Sequence, residues 1–491
     1  MSENEYVVSV EELCARKTVK RLVGRSDHEQ TPGPVAISES QKNVTAVNDK
    51  GETASDIQDF RKSVDSLKEK SITSTTNNHK PKPKIQKVPM VLRSHKNFER
   101  YYEPRVVSIG PIHHQKAGLI LEEYKLKFLA KFEEDSGKKI EVLYQSINDQ
   151  ILELRKLFDR EVIKNYDDVT LSRMLFLDGC FILEFIVYFS DVIKGRKLEN
   201  FDLKDDQTVY VQQDFLLLEN QIPFLVLKLL MDSSLDKFKS KLISSIEEFI
   251  CQNVMAPKDR NQYVVAHFSL EKEPDPTHLL ELLQKAATFS PQSRDQNAAR
   301  RQTTQQSFRN VQELRAAGIN LKPSKNCSLT DIEFSSISFA GWLKLPPLIV
   351  DDSTGPKFFN LTAYEMCPDN FRTNYEVTSF VTFMDSLIDQ SSDVKELRKK
   401  KIIHNLLGSD DDVALLFNEI AIDLVPNPKM YKDVKDRIQE HYDWRWTTWM
   451  AEAYSNHFSS PWSILAFVGA LVALGLTGIQ TWYTIHPAAD S

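Results

Sequence analysis

Two apolar stretches carry polar side chains where chemistry is possible. DFLLLENQIPFLVLKLL (214–230) sets Glu219, Asn220 and Gln221 together inside a hydrophobic run, with Pro223 close behind. FLDGCFILEFIVYF (176–189) does the same with Asp178, Gly179, Cys180 and Glu184. A carboxyl withdrawn from water has a raised pKa and can serve as a general acid. Glu184 and Glu219 are therefore the candidate acid pair of a hydrolase or transferase, with Asp178 and Asp214 flanking them. The alternative is structural: a kinked pair of buried helices. Proline suits a helix's first turn and breaks its interior. Asn220 would cap the second helix, and Glu219 or Gln221 would satisfy the amides exposed at its start. We take the structural alternative as the expectation.

The other reactive residues give weaker signals. Cys180 as a nucleophile needs a base and partial exposure, but its run is apolar on most sides, so an inert core thiol is expected. His113 and His114 follow Gly110–Pro111 and are the metal candidates. Adjacent histidines on one loop rarely reach one ion, and no third ligand stands at helical spacing. C-x-x-C, H-E-x-x-H, P-loop, dinucleotide and nucleophile-elbow patterns are absent. The expectation is no enzyme, and no catalytic, cofactor or metal site.

The elements that hold these residues read as mostly α. Ile140, Leu143, Ile147, Ile151, Leu154 and Phe158 recur at three- and four-residue steps, one helical stripe. Residues 171–193 are apolar almost all round and predict a central helix. Residues 214–231 and 235–251 predict a broken pair, and 278–287 another helix. The spacing predicts a helix over 308–322 stopped by Gly318. Alternation and the pair Pro346–Pro347 place a small β element at 329–352. Helices return at 359–366, 377–389, 394–407, 411–423 and 430–457.

Domain organisation follows from composition. Residues 1–87 form a polar extension too poor in apolar side chains to fold, apart from a short helix at 5–23. The folded body spans 88–457, with a polar linker at 288–308. Residues 461–485 have no charged side chain and are long enough to cross a bilayer, which takes about 20 helical residues. Trp462 at one end and Trp482 with Tyr483 at the other fit the two interfaces. A tail, 486–491, follows. The fold class expected is thus a multi-helix globular body with a small β element and a single C-terminal transmembrane helix. Lys429, Lys432, Lys435, Arg437 and Arg445 precede the span and no Lys or Arg follows it, so the body is expected in the cytosol. The sequons at Asn43, Asn326 and Asn360 argue the other way. A net charge of -7 over 491 residues excludes the basic balance of a nucleic-acid binder. Five scattered cysteines do not make a disulfide framework.

Several blocks occur together. VPMVLRSHKNFERYYEPRVVSIGPIHH opens the body; MLFLDGCFILEF, DFLLLENQIPFLVL, ELRAAGINLK, NLTAYEMC, VTSFVTFMDSLI and a final PW…LTGIQTWY follow. In this order they resemble the plant domain-of-unknown-function 247 family (uncharacterised protein family 0481), over roughly 88–483. EYVVSVEELCARK resembles the family's short N-terminal W-V-x-S-I segment, with Tyr6 where Trp is usual. The resemblance implies a helical body, a membrane span and no established enzymatic activity. Gly110, His113, His114, Asp178, Gly179, Cys180, Glu184, Glu219, Asn220, Gln221 and Pro223 would then be a structural signature. Some grass members are implicated in self-incompatibility through pollen recognition. The function expected is a non-enzymatic, membrane-anchored interaction or recognition protein. Its partners would be the bilayer, through the C-terminal helix, and another protein, with no nucleic acid.

Overall fold

A computed structural model describes residues 84–443 except 197–202, 258–267, 272–274, 290–309, 338–339 and 371–372; it also describes the C-terminal helix and positions 61 and 64. Most of the polar extension with its helix at 5–23, most of the 288–308 linker, residues 444–457 and the tail lie outside the described residues; the last residues of the expected extension, 84–87, belong instead to the folded body, with Ile85 buried. The chain divides into two units, Met1–His79 and Lys80–Ser491; the second holds the site.

The body begins with two short helices, α1 (Met90–Arg93) and α2 (Phe98–Tyr102). α3 (Tyr124–Ser136) follows, and the stripe from Ile140 to Phe158, expected as one helix, is broken into α4 (Ile140–Asn148) and α5 (Ile151–Lys156), with α6 (Arg160–Ile163) after it. The apolar run becomes α7 (Asp168–Ile193), started by Asp167, whose carboxylate accepts the Thr170 N–H. Apolar side chains on all its faces require cover on all sides. α3, α4, α9 (Phe224–Ser233) and α10 (Asp236–Asn253) provide it. At Gly179 the cover is tightest: a Cβ there would lie 2.7 Å from Leu230 and 2.8 Å from Val226.

α8 (Asp205–Asp214) precedes α9, and α11 (Leu279–Thr288) follows α10. Residues 215–223, expected to be helical, form turns and irregular chain between α8 and α9. A second layer contains α13 (Thr354–Glu365), packed on α2, α11 and α14 (Glu376–Leu387). α15 (Ser391–Lys399) pairs with α16 (Asp410–Ile420), and α17 (Lys432–Asp443) lies on the sheet.

The β element is larger than the sequence suggests. β1 (Ile319–Pro323), β2 (Glu333–Ile337) and β3 (Ala340–Leu345) form a sheet in the order β1-β3-β2. β1 runs parallel to β3, with Ile319 opposite Gly341. The helix expected over 308–322 is only α12 (Val311–Ala316), and Gly318 at φ 77° turns the chain straight into β1. β4 (Leu348–Val350) pairs in parallel with β5 (Ile403–Asn405), a strand inside what reads as the helix 394–407.

The expected transmembrane helix needs correction. α18 runs Pro461–Ile485, but among the described residues no helix is long and apolar enough to cross a membrane. The described residues of α18 include Gly469, Gly475, Gly478, Thr477, Gln480 and Thr481. Of the expected interface aromatics, Trp482 is 64% exposed, while the side chains of Trp462 and Tyr483 lie outside the described residues. The single-pass localisation, and the cytosolic orientation built on it, lose their basis.

Candidate functional site

The polar residues of ENQIPF, VSIG and DGC come together in one buried knot. The segment 105–110 runs as irregular chain through the interior, so its amides have no ladder to join. Buried amides without partners are costly. Side chains from α7, from the turn 214–223 and from Glu122, just before α3, satisfy them one after another.

Asp214, at the end of α8, accepts the N–H groups of Arg105 (3.0 Å), Val106 (2.8 Å) and Val107 (3.0 Å). Burial still pushes its carboxyl up to about 6. Glu122 accepts the Ser108 N–H at 2.6 Å and its hydroxyl at 2.8 Å. Asn220 Oδ1 accepts the Ile109 N–H at 2.7 Å, and its Nδ2 donates to Val107 O (3.2 Å) and Asp214 O (2.9 Å). Asp178 accepts the Gly110 N–H at 2.8 Å. Six consecutive amides, 105 through 110, are thus assigned.

Gly110 is fixed by this arrangement. Its φ is 71°, and a Cβ would lie 2.5 Å from the Gln221 carbonyl oxygen. The Gln221 side chain donates to Phe215 O (2.7 Å) and Leu217 O (2.8 Å), closing the turn on itself. Beneath it, Lys125 donates to Ser108 O (2.6 Å) and reaches Asp178 and Glu122, each at 2.8 Å. Burial opposes the charge on this ammonium, but the two carboxylates hold it above the ordinary lysine value.

Glu219 faces another way. It accepts the Val88 N–H at 2.7 Å and pairs with the Arg93 guanidinium. His113 Nε2 stands 3.4 Å from its second oxygen, at ion-pair distance without hydrogen-bond alignment. Burial alone would raise this carboxyl; His113, the Val88 amide and Arg93 outweigh it and hold the group below its ordinary value. Residues 85–93 are thereby strapped to the knot, and Ile85 exchanges backbone bonds with Leu157 O and Asp159 N (2.8 and 2.9 Å).

The capping expected of Asn220 is not what the structure shows. Pro223 is the N-cap of α9, with no side-chain cap bond. The amides that Glu219 and Asn220 satisfy belong to Val88 and Ile109, more than a hundred residues away in sequence. No sequence signal marks those partners.

The expected acid pair is split between two environments. Glu184 is buried on α7 beside Asp135 and Lys131 of α3 and Lys241 of α10, and none of these groups touches Glu219. The small void between Ile109, Ile182, Phe215, Asn220, Gln221 and Ile222 has no room for a water molecule. Cys180 is fully buried, and burial and Glu184 push its thiol well above the usual range. His114 turns away from His113 and meets the Tyr166 ring edge-on at 6.1 Å. Among the described residues no group of three or more His, Cys, Asp or Glu side chains is placed to hold a metal ion.

Other members of the network give no local signal in the sequence. Asn360 is fully buried: its Oδ1 accepts the Leu218 N–H at 2.7 Å, and its amide donates to Tyr101 O (2.7 Å) and Pro356 O (2.8 Å). It reads as a sequon, which points to the surface. Glu365 accepts the Val377 and Thr378 amides at the start of α14 and is also fully buried.

The chain matches the family model DUF247, described as plant protein of unknown function, over residues 85–476. It is 28% identical over 424 residues to the UPF0481 protein At3g47200 of Arabidopsis thaliana, covering 78% of this chain and 83% of that one. It is 22% identical over 474 residues to the putative UPF0481 protein At3g02645 of the same plant, covering 77% and 86%. No solved structure matches. The matched span starts at Ile85, the first residue strapped to the knot, and takes in every block quoted above from the folded body; the chain belongs to the DUF247 family of plant proteins of unknown function.

Proposed function

We propose that this chain is a non-enzymatic interaction protein of plant cells whose helical body recognises another protein. The observation that carries the reading is the use to which its chemistry-bearing residues are put. Asp178, Asp214, Glu219, Asn220 and Gln221 are buried and bonded to the chain's own backbone. Groups held this way fix a fold and are not free to meet a substrate. Recognition between cells, as the family resemblance implies for some grass members, is the narrower form of the proposal. The acidic net charge favours a protein partner over a nucleic acid.

The test is proximity labelling in plant cells with the full chain fused to a labelling enzyme, against the labelling enzyme alone. Enriched proteins are then titrated against the purified full chain by calorimetry. Saturable binding by at least one of them is expected. If none binds, the reading fails. Turnover in a hydrolase or transferase screen that disappears in Glu219→Gln would instead favour an acid-catalysed enzyme.

A further inference from the structure

We propose that the outer edge of β2 pairs with the same edge of a second copy of this chain, antiparallel about a two-fold axis at Ser335, so that two three-stranded sheets join into one. β2 is the last strand of its sheet, with β3 on one side. The neighbouring bonds fix which way its backbone points. Gly341 N donates to Gly318 O (3.1 Å), and Leu345 O accepts from Ser324 N (2.7 Å). Residues 341, 343 and 345 of β3 therefore turn their amides and carbonyls to β1, and 340, 342 and 344 turn theirs to β2. Their partners there are Ile337, Ser335 and Glu333. Phe334 and Ser336 must then point the other way. Their N–H and C=O groups face out from the sheet, and among the described residues nothing bonds to them.

This edge is open and undefended. Ser336 is exposed, and Ile337 is 70% exposed. α17 meets β2 on its face, where the His441 ring stands 5.9 Å from that of Phe334. Natural edge strands are blunted by proline, a bulge or a charge. β2, EFSSI, has no proline, and its pairing with β3 is unbroken. Its one charge, Glu333, stands at the end and is held 3.0 Å from Lys344 of β3.

The occupant that suits this edge is the edge itself. With Phe334 set against Ser336 of the copy, and Ser336 against Phe334 of the copy, every outward N–H and C=O on both chains finds a partner. The side chains agree with that register. Phe334 stands beside a serine, large against small. Ser335 meets its own counterpart at the axis as a non-bonded pair, where Cα atoms approach to about 4.5 Å, and a serine side chain is small enough for it. Glu333 lies across from Ile337 of the copy, so no like charges meet. Parallel pairing would instead set Glu333 beside Glu333, which is unfavourable. This self-association is separate from the recognition of another protein proposed above, and either can hold without the other.

Sedimentation velocity of the full chain from about 1 to about 100 μM tests this. The mass should double toward the upper end. Ser335→Lys and Ser335→Glu each set like charges face to face at the axis, and each alone should keep the single-chain mass throughout. An equimolar mixture of the two should restore the doubled mass. Association through the exposed apolar helix α18 would not respond to the sign of the charge at 335. A wild type that stays a single chain overturns the proposal and leaves the edge to a strand of another protein. A doubled mass that persists in both variants also overturns it. If the charged variants do not fold, Ser335→Cys decides. Mild oxidation should link two copies through residue 335, whose counterparts lie within disulfide reach in this register. No more linked dimer than in the wild type on a non-reducing gel overturns the proposal.

Discussion

At the scale of single residues, two positions separate what geometry demands from what composition allows. Gly110 and Gly195 have almost the same φ, 71° and 72°, but a Cβ at Gly195 meets nothing within 4 Å. Gly195→Ala should therefore lose only the left-handed backbone penalty, about 1–2 kcal/mol. Gly110→Ala adds a collision with the Gln221 carbonyl and should lose at least about 3 kcal/mol. Urea midpoints of the two variants give the comparison; equal losses would mean that the knot relaxes around the methyl. His278 supplies a pH prediction. It caps α11, accepting the Glu281 N–H at 3.2 Å, and burial depresses its pKa to about 4. The unfolded chain then binds a proton below about 6.5 that the folded chain refuses until about 4. This group's contribution is complete above about 6.5 and falls as pH drops through that window, by up to about 3 kcal/mol. His278→Asn keeps a capping oxygen and does not titrate. The difference in unfolding free energy between wild type and this variant should shrink toward acid pH on the wild-type side, and a pH-independent difference would contradict the assignment.

At the scale of elements, Asn360 shows how one side chain joins three pieces of chain. Its three bonds link α13 to the end of α2 and to the turn at Leu218. Asn360→Ala takes the side-chain partner from the Tyr101 carbonyl and the Leu218 amide in the interior, a loss of about 2–5 kcal/mol by the usual desolvation cost. A glycan on the same nitrogen would displace all three bonds. Peptide mass spectrometry of the folded protein should find Asn360 unmodified, and full occupancy there would exclude this packing. The same residue marks the limit of what local pattern reveals. Elements with a strong apolar pattern are legible: α7 from its all-round apolar run, α4 and α5 from their stripe. β1 and β5 are not, because five- and three-residue strands beside helices carry too little alternation to compete with neighbouring helical spacing. Glu219, Asn220 and Gln221 stand out in the sequence as polar residues in core. Their partners do not, since Val88 and Ile109 contribute backbone amides, and a backbone amide has no sequence signature. Lys125 looks like a surface lysine at i,i+3 from Glu122; only tertiary packing buries it.

For the whole molecule, the strap at 85–93 defines where the folded unit has to begin. Lys80–Ser491 forms one unit and Met1–His79 another. The knot's bonds among the described residues all come from Lys80–Ser491, so the chain without residues 1–79 should unfold at the same urea concentration as the full protein, within about 0.5 kcal/mol. Deletion through Arg93 is different in kind. It takes away the backbone pairing of Ile85 with Leu157 and Asp159, the Val88 amide and the Arg93 guanidinium. Among the described residues, Glu219 would keep His113 at 3.4 Å as its remaining charged neighbour. A buried carboxylate stripped of its main partners costs about 3–5 kcal/mol. The shorter chain should accordingly unfold at clearly lower urea, and Glu219→Gln should rescue part of the loss by removing the orphaned charge. Rescue in the truncated chain but not in the full one would place the origin of the effect at Glu219. If both deletions unfolded alike, the strap would be an adornment of the body and the knot would close without it. If only the longer deletion is damaged, the ENQIPF turn holds the body together by gripping the very start of its own domain.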